Sequence, residues 1–154
     1  MFTIGVLSDT HGYLDPQVAE VLADVDHVLH AGDVGPARVL AALEALAPVT
    51  AVRGNTDASV TLRDTELVEL AGRKFLVHHI VNPRVLREPF RDFLHRAKPD
   101  VVVFGHTHRR FCETIGGILF FNPGYAGAPK VGQDRSVAIL HCDAHAVRPE
   151  FLVL

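Results

Sequence analysis

Thr3-Ile4-Gly5-Val6-Leu7-Ser8-Asp9-Thr10-His11-Gly12 decides the fold, because an apolar run stops abruptly at polar groups with a glycine just beyond. Met1 to Leu7 reads as a short buried strand. Asp15-Pro16 then offers an N-cap and a proline at the first helical position, with Val18, Val21 and Leu22 spaced along one helix face to about Asp24. Val25 to His30 is a second strand. Pro36 starts a helix carrying Val39, Leu40, Leu43 and Leu46, Pro48 ends it, and Val49 to Val52 is a third strand. This order is β-α-β-α-β, which implies parallel strands joined by right-handed crossovers.

Beyond Asp57 the pattern changes. Glu66 to Leu70, a turn at Ala71-Gly72-Arg73, and Lys74 to Val77 alternate as a β-hairpin does. A third helix is predicted over Glu88 to Ala97, with Phe90, Phe93 and Leu94 inward, followed by a strand over Val101 to Phe104. The remainder reads as hairpins: Arg109 to Ile115, a Gly116-Gly117 turn, Ile118 to Phe121, then Ser136 to His141 and Ala146 to Leu154. An α/β first part and a largely antiparallel second part predict one layered α/β domain over residues 1–154, two mixed sheets with helices outside.

Composition narrows the function. The 154 residues are 48% hydrophobic and 21% charged, enough for a real core. No apolar run approaches the roughly 20 residues of a membrane helix, and no basic leader precedes the first strand, so a soluble, cytoplasmic protein is expected. Cys112 and Cys142 are too few and too far apart for a zinc finger or a disulfide framework. With Lys+Arg at 15, Asp+Glu at 18 and a net charge of −3, a broad footprint on extended nucleic acid is not expected. The 10 histidines are the unusual feature, since imidazole is the commonest metal ligand and a proton carrier near neutral pH.

Their placement points to a metal site. Apolar strands hand over at their C-terminal ends to Asp, His or Asn in Leu7 to Gly12, Ala31-Gly32-Asp33, Arg53-Gly54-Asn55-Thr56-Asp57, Val77-His78-His79 and Phe104-Gly105-His106-Thr107-His108. Ligands of α/β sheets bind outside the carboxyl ends of strands, so these segments should share one crevice. Asp9 and His11, like His106 and His108, stand two apart, which in extended chain puts both side chains on one side. Two carboxylates, one carboxamide and four or five imidazoles exceed one tetrahedral site but suit two metals sharing a carboxylate. The mixed nitrogen and oxygen donors favour manganese, iron, zinc, cobalt or nickel over a purely oxygen-bound cation.

The order D-x-H, G-D, G-N-x-D, a histidine after an apolar strand, and G-H-T-H resembles the calcineurin-like metallophosphoesterases. The short length with G-N-x-D and N-P-G is similar to their small phosphodiesterase branch. The matches run from Asp9 to about Gly124. The resemblance implies a four-layer αββα sandwich with metal 1 on Asp9, His11, Asp33 and His108. It implies metal 2 on Asp33, Asn55, His78 and His106, with Asp33 bridging. It also implies hydrolysis of a small phosphodiester, in which two divalent cations activate a bridging water for in-line attack. Manganese is the first choice of metal, with nickel, cobalt, iron, zinc or magnesium as alternatives. Asp33, Asn55 and His79 are the catalytic candidates. A phosphomonoesterase with the same metals is the nearest alternative, and a catalytically silent scaffold, as in the retromer subunit of this fold, is the next. Homo-oligomer formation is left open.

Three positions depart from the larger family. Thr56 stands where many members carry a histidine that can protonate the leaving oxygen, and a hydroxyl is a poor acid near pH 7. The usual H-G-H is His78-His79-Ile80 here, and His78 is the expected ligand because it directly follows the strand, with His79 the nearest candidate to supply a proton. N-P-G-S becomes Asn122-Pro123-Gly124-Tyr125, a change expected at the pocket rim. Elsewhere, His27, His95, His141 and His145 read as surface or packed histidines, and His30 is placed to orient a ligand. Arg53 suits either a phosphate contact or a solvated surface, Asp57 a loop buttress, and Asn122 a structural loop role.

Overall fold

The central strand β1 (Phe2–Leu7) lies parallel to β2 (His27–His30), which lies parallel to β3 (Val49–Ala51). The structure is a computed structural model describing residues 1–58 and 61–154. Between these strands run α1 (Pro16–Val21) and α2 (Arg38–Glu44). The Asp15 side chain caps α1 by accepting from the Gln17 N–H at 2.9 Å, and Pro16 occupies the first turn, where no N–H is missed. Both helices are shorter than the sequence reading: Leu22 and Ala45 are their C-caps, and Val25, Leu46 and Ala47 beyond them still pack on the sheet.

The second sheet contains β4 (Thr65–Leu70), β5 (Arg73–His78), β6 (Val101–Val103), β7 (Arg110–Ile115) and β8 (Ile118–Pro123), in the order β4-β5-β6-β8-β7. Helix α3 (Phe90–Ala97) carries the chain from β5 to a parallel β6. The hairpin β7-β8 then sends β7 to the edge and returns β8 parallel to β6. The second sheet is therefore mixed, with a parallel centre and antiparallel edges, and the later strands pair mostly antiparallel, as the two expected mixed sheets require. Strands β9 (Ser136–Cys142) and β10 (Val147–Val153) return to the first sheet and complete the order β10-β9-β1-β2-β3.

Three apolar clusters separate four layers. Ile4, Val6 and Leu29 of the first sheet meet Phe75, Val77, Val103 and Phe121 of the second, forming the core between the sheets. Leu7 and Val28 face α1 and α2 through Val18, Leu22, Val39 and Leu43, while Leu76, Val102 and Phe120 face α3 through Leu94. This two-sided burial explains the near-continuous apolar runs of the inner strands. Parallel β1, β2 and β3 and parallel β5 and β6 end in the five polar segments. No described helix is long and apolar enough to cross a membrane.

Candidate metal centre

The loops after these strands place Asp9, His11, Asp33, His79 and His108 together. Their donor atoms form two groups, Asp9-His11-His108 and Asp9-Asp33-His79, in each of which all donors lie within 4.8 Å of one another. Oδ1 of Asp9 lies 3.8 Å from His11 Nε2, 3.4 Å from His108 Nε2 and 3.8 Å from His79 Nε2. Oδ2 of Asp33 lies 3.7 Å from His11 Nε2 and 3.2 Å from His79 Nε2.

Each carboxylate is held by one oxygen and offers the other. Ser8 Oγ donates to Asp9 Oδ2 at 2.7 Å, and the His106 backbone N–H donates to the same oxygen at 3.1 Å. The Thr56 backbone N–H holds Asp33 Oδ1 at 2.9 Å. Burial pushes the Asp33 carboxyl up, but the hydrogen bonds from Thr56 and the facing His79 and His11 outweigh it, so its pKa lies below the ordinary value. Burial also lowers His108, helped by His11 and Lys130 and opposed by Asp9 and Asp33.

His79 is the histidine of its pair that enters the site. Its Nδ1–H donates to the Ala31 carbonyl at 2.6 Å, which leaves the Nε2 lone pair aimed at the two carboxylates. His78, the expected ligand, instead shares a 2.7 Å hydrogen bond between Nδ1 and Thr65 Oγ1, and its ring packs against Phe90. The reason is strand alternation: Phe75 and Val77 face the other sheet and so does His79, whereas Leu76 and His78 face the helix layer. His79 is 3% exposed, and its Nδ1 is engaged with the Ala31 carbonyl.

Asn55 and His106 lie beside the cluster on its exposed rim, with Asn55 Oδ1 3.1 Å from His106 Nδ1. The His106 ring stands 5.4 Å from that of His79.

Among the described residues, Asp9 Oδ1 and His79 Nε2 are the buried side-chain polar atoms without a hydrogen-bond partner. Two carboxylate oxygens and an imidazole nitrogen converge there, two of the three atoms buried without a partner, an arrangement that costs free energy unless a cation joins it. The donor set therefore fits metal.

The backbone is strained around this point. Seven non-glycine residues with positive φ are described, and five are candidate ligands: Asp9 (59°), His11 (48°), Asp33 (55°), His106 (72°) and His108 (59°). Such backbone strain persists where surrounding structure over-determines it, typically at functional sites. Two glycines permit the close approach: a Cβ on Gly54 would run into the Asp33 carboxylate and one on Gly105 into the Ser8 hydroxyl.

Supporting residues complete the site. Asp57 buttresses two loops by accepting from Val34, Gly35 and Gly54 N–H groups at 2.9–3.1 Å. Asn122 braces the last loop through Gly105 O, Thr107 Oγ1 and the Gly124 N–H. His30 is buried and supports the first loop, 2.9 Å from Thr10 Oγ1. Arg53 is exposed and paired with Asp64 at 2.8 Å. Tyr125 is buried and not on the rim, and it packs on His108 with ring centroids 4.7 Å apart. The sequence reading missed Ser8, although it directly precedes Asp9, and missed Gln133, which donates to the His108 carbonyl at 2.9 Å from a loop with no motif.

The Calcineurin-like phosphoesterase superfamily domain matches residues 2–145. The chain belongs to that superfamily. A probable metallophosphoesterase of Methanothermobacter thermautotrophicus is 33% identical, covering 97% of this chain and 91% of its own length. Phosphodiesterase MJ0936 of Methanocaldococcus jannaschii is 30% identical over 84% of this chain and 90% of its own. Among solved structures, an archaeal phosphodiesterase superposes with a TM-score of 0.80 at 27% identity, covering 99% of this chain and 100% of that one. Vps29 of Entamoeba histolytica complexed with zinc gives 0.76 at 22% identity over 99% of both, a likeness of fold.

Proposed function

We propose that this chain hydrolyses a small phosphodiester at two divalent metal ions, manganese by first preference, and works in the cytoplasm. Family membership and relatives named phosphodiesterase and metallophosphoesterase support a metal-dependent phosphoester hydrolase. The observation that carries the finer reading is the position of Asp33 Oδ2 between the two histidines, 3.7 Å from His11 Nε2 and 3.2 Å from His79 Nε2, beside partnerless Asp9 Oδ1.

Asp9, His11 and His108 would hold one ion, and Asp33, His79, Asn55 and His106 the other, with Asp33 shared. When bound, such a pair supplies Lewis-acid charge for the phosphoryl oxygens and lowers the pKa of water to serve as nucleophile. Ser8 and the His106 N–H keep Asp9 turned inward, Thr56 does the same for Asp33, and Ala31 fixes the tautomer of His79. No imidazole follows Asn55, so the chain offers the leaving oxygen only the Thr56 hydroxyl at that position.

Elemental analysis combined with hydrolysis of bis(p-nitrophenyl) phosphate and p-nitrophenyl phosphate tests the reading. About two metals per chain, faster cleavage of the diester, and loss of nearly all activity in Asp33→Ala are expected. One metal at saturation would overturn the dinuclear centre, and faster cleavage of the monoester would overturn the substrate class.

A further inference from the structure

Two unlike clefts flank the candidate metal centre, and they meet at Ile80. One, of about 440 Å³, is polar and includes Asn55, His78, His79 and the paired Arg53 and Asp64. The other, of about 640 Å³, opens beside His106 and is walled mainly by Ile80, Val81, Pro83, Phe104 and Phe111. Phe104 is buried behind the cleft and half-buried Phe111, with its ring centroid 5.8 Å from that of Phe104, supplies the aromatic part of the wall. Ile80 is 51% exposed at the junction, an apolar side chain left in water next to a polar centre. Arg109 lines the same cleft and pairs with no carboxylate among the described residues, so its planar guanidinium is available at the mouth.

We propose that the cleft beside His106 binds one ester substituent of the substrate, and that this substituent is a planar aromatic ring. The inference rests on the phosphodiesterase reading and deepens it. A phosphomonoester with a small alcohol would leave this wall in contact with water, whereas a diester presents two substituents to two clefts of different chemistry. The apolar wall takes the ring, and Arg109 stacks on it or meets polar groups on its edge. The second substituent lies toward the polar cleft and is the more hydrophilic of the two.

Calorimetric titration of the metal-loaded protein with diphenyl phosphate and dimethyl phosphate tests the groove apart from catalysis. Diphenyl phosphate should bind about tenfold tighter or better, the factor expected for removing on the order of 60 Å² of apolar surface from water. Ile80→Ser and Phe111→Ser should each erase most of that preference while leaving dimethyl phosphate binding and metal content unchanged. Ile80 is exposed enough that its variant should fold normally, which guards against a misleading loss at Phe111. Equal affinity for the two diesters, or a preference untouched by both variants, would overturn the proposal. Aromatic preference without hydrolysis of any diester would sink the phosphodiesterase reading and leave the groove standing. Hydrolysis without aromatic preference would do the reverse.

Discussion

Nε2 of His79 stands 3.2 Å from Oδ2 of Asp33, while the adjacent His78 is committed to Thr65 on the opposite face of its strand. His79→Ala should therefore lower metal content and cut hydrolysis by about 100-fold or more. His78→Ala should keep both within about threefold and lose instead a little stability from the packing on Phe90. Metal analysis of the two variants side by side checks the assignment. A His78→Ala protein that loses metal while His79→Ala retains it would reverse it.

This pair also shows how far the sequence could be read. Every strand bearing a site residue was legible as an apolar run ending in polar residues, because burial on both faces removes alternation and leaves length and terminus as signals. Alternation was still available at the end of β5: Val77 belongs to the core between the sheets, so the residue two further on, His79, shares its side. Proximity to the strand end favoured His78 and parity favoured His79. Tyr125 carried no comparable signal, since its contact with His108 spans loops whose course depends on tertiary packing. The parallel centre of the second sheet was hidden for the same reason: a hairpin motif does not reveal which of its strands joins the older sheet edge.

Ser8 should matter to metal affinity although it belongs to neither donor group. Its hydroxyl donates to Asp9 Oδ2 and so keeps Oδ1 turned toward the donor groups, and without it only the His106 N–H holds Oδ2. Ser8→Ala should weaken metal binding about 10–100-fold, the usual cost of losing a group that orients a ligand. Titration with manganese under competition from a chelator measures this. Unchanged affinity would mean the backbone alone sets the Asp9 rotamer.

Stability should fall in mild acid because of His30. Burial pushes its pKa from 6.5 down to about 3, the opposing pull of Asp57 and Asp33 being insufficient. The Gly32 N–H donates to Nδ1 at 3.2 Å and Thr10 Oγ1 sits at 2.9 Å from Nε2, so the neutral ring is fully satisfied and a second proton has no acceptor. The folded-state pKa is depressed, so the unfolded chain binds the proton first. The folded state is then favoured above about 6.5 and penalised progressively as pH falls toward 3. Denaturant unfolding of the metal-free protein between pH 4 and 8 should show a slope that His30→Gln reduces by up to about 1.4 kcal/mol per pH unit. Parallel slopes would assign the acid sensitivity to other groups.

Having Thr56 after Asn55 should make the rate depend strongly on the leaving group. Its backbone N–H holds Asp33 in place, and its side chain is exposed beside Asn55, where an imidazole would face the same rim. A departing oxygen that receives no proton must leave as an anion, so rates should drop steeply as leaving-group pKa rises, and aryl diesters should outrun alkyl ones. A positioned general acid is worth about 10²–10⁴-fold. Thr56→His preserves the backbone bond to Asp33 and adds a group that is partly protonated near neutral pH. It should raise turnover of poor leaving groups more than of good ones, flattening the plot of log rate against leaving-group pKa. If the unmodified enzyme already gives a flat plot, the proton comes from elsewhere. Since His79 Nδ1 is engaged with the Ala31 carbonyl, the solvent-facing groups of the rim are the first place to look for that source.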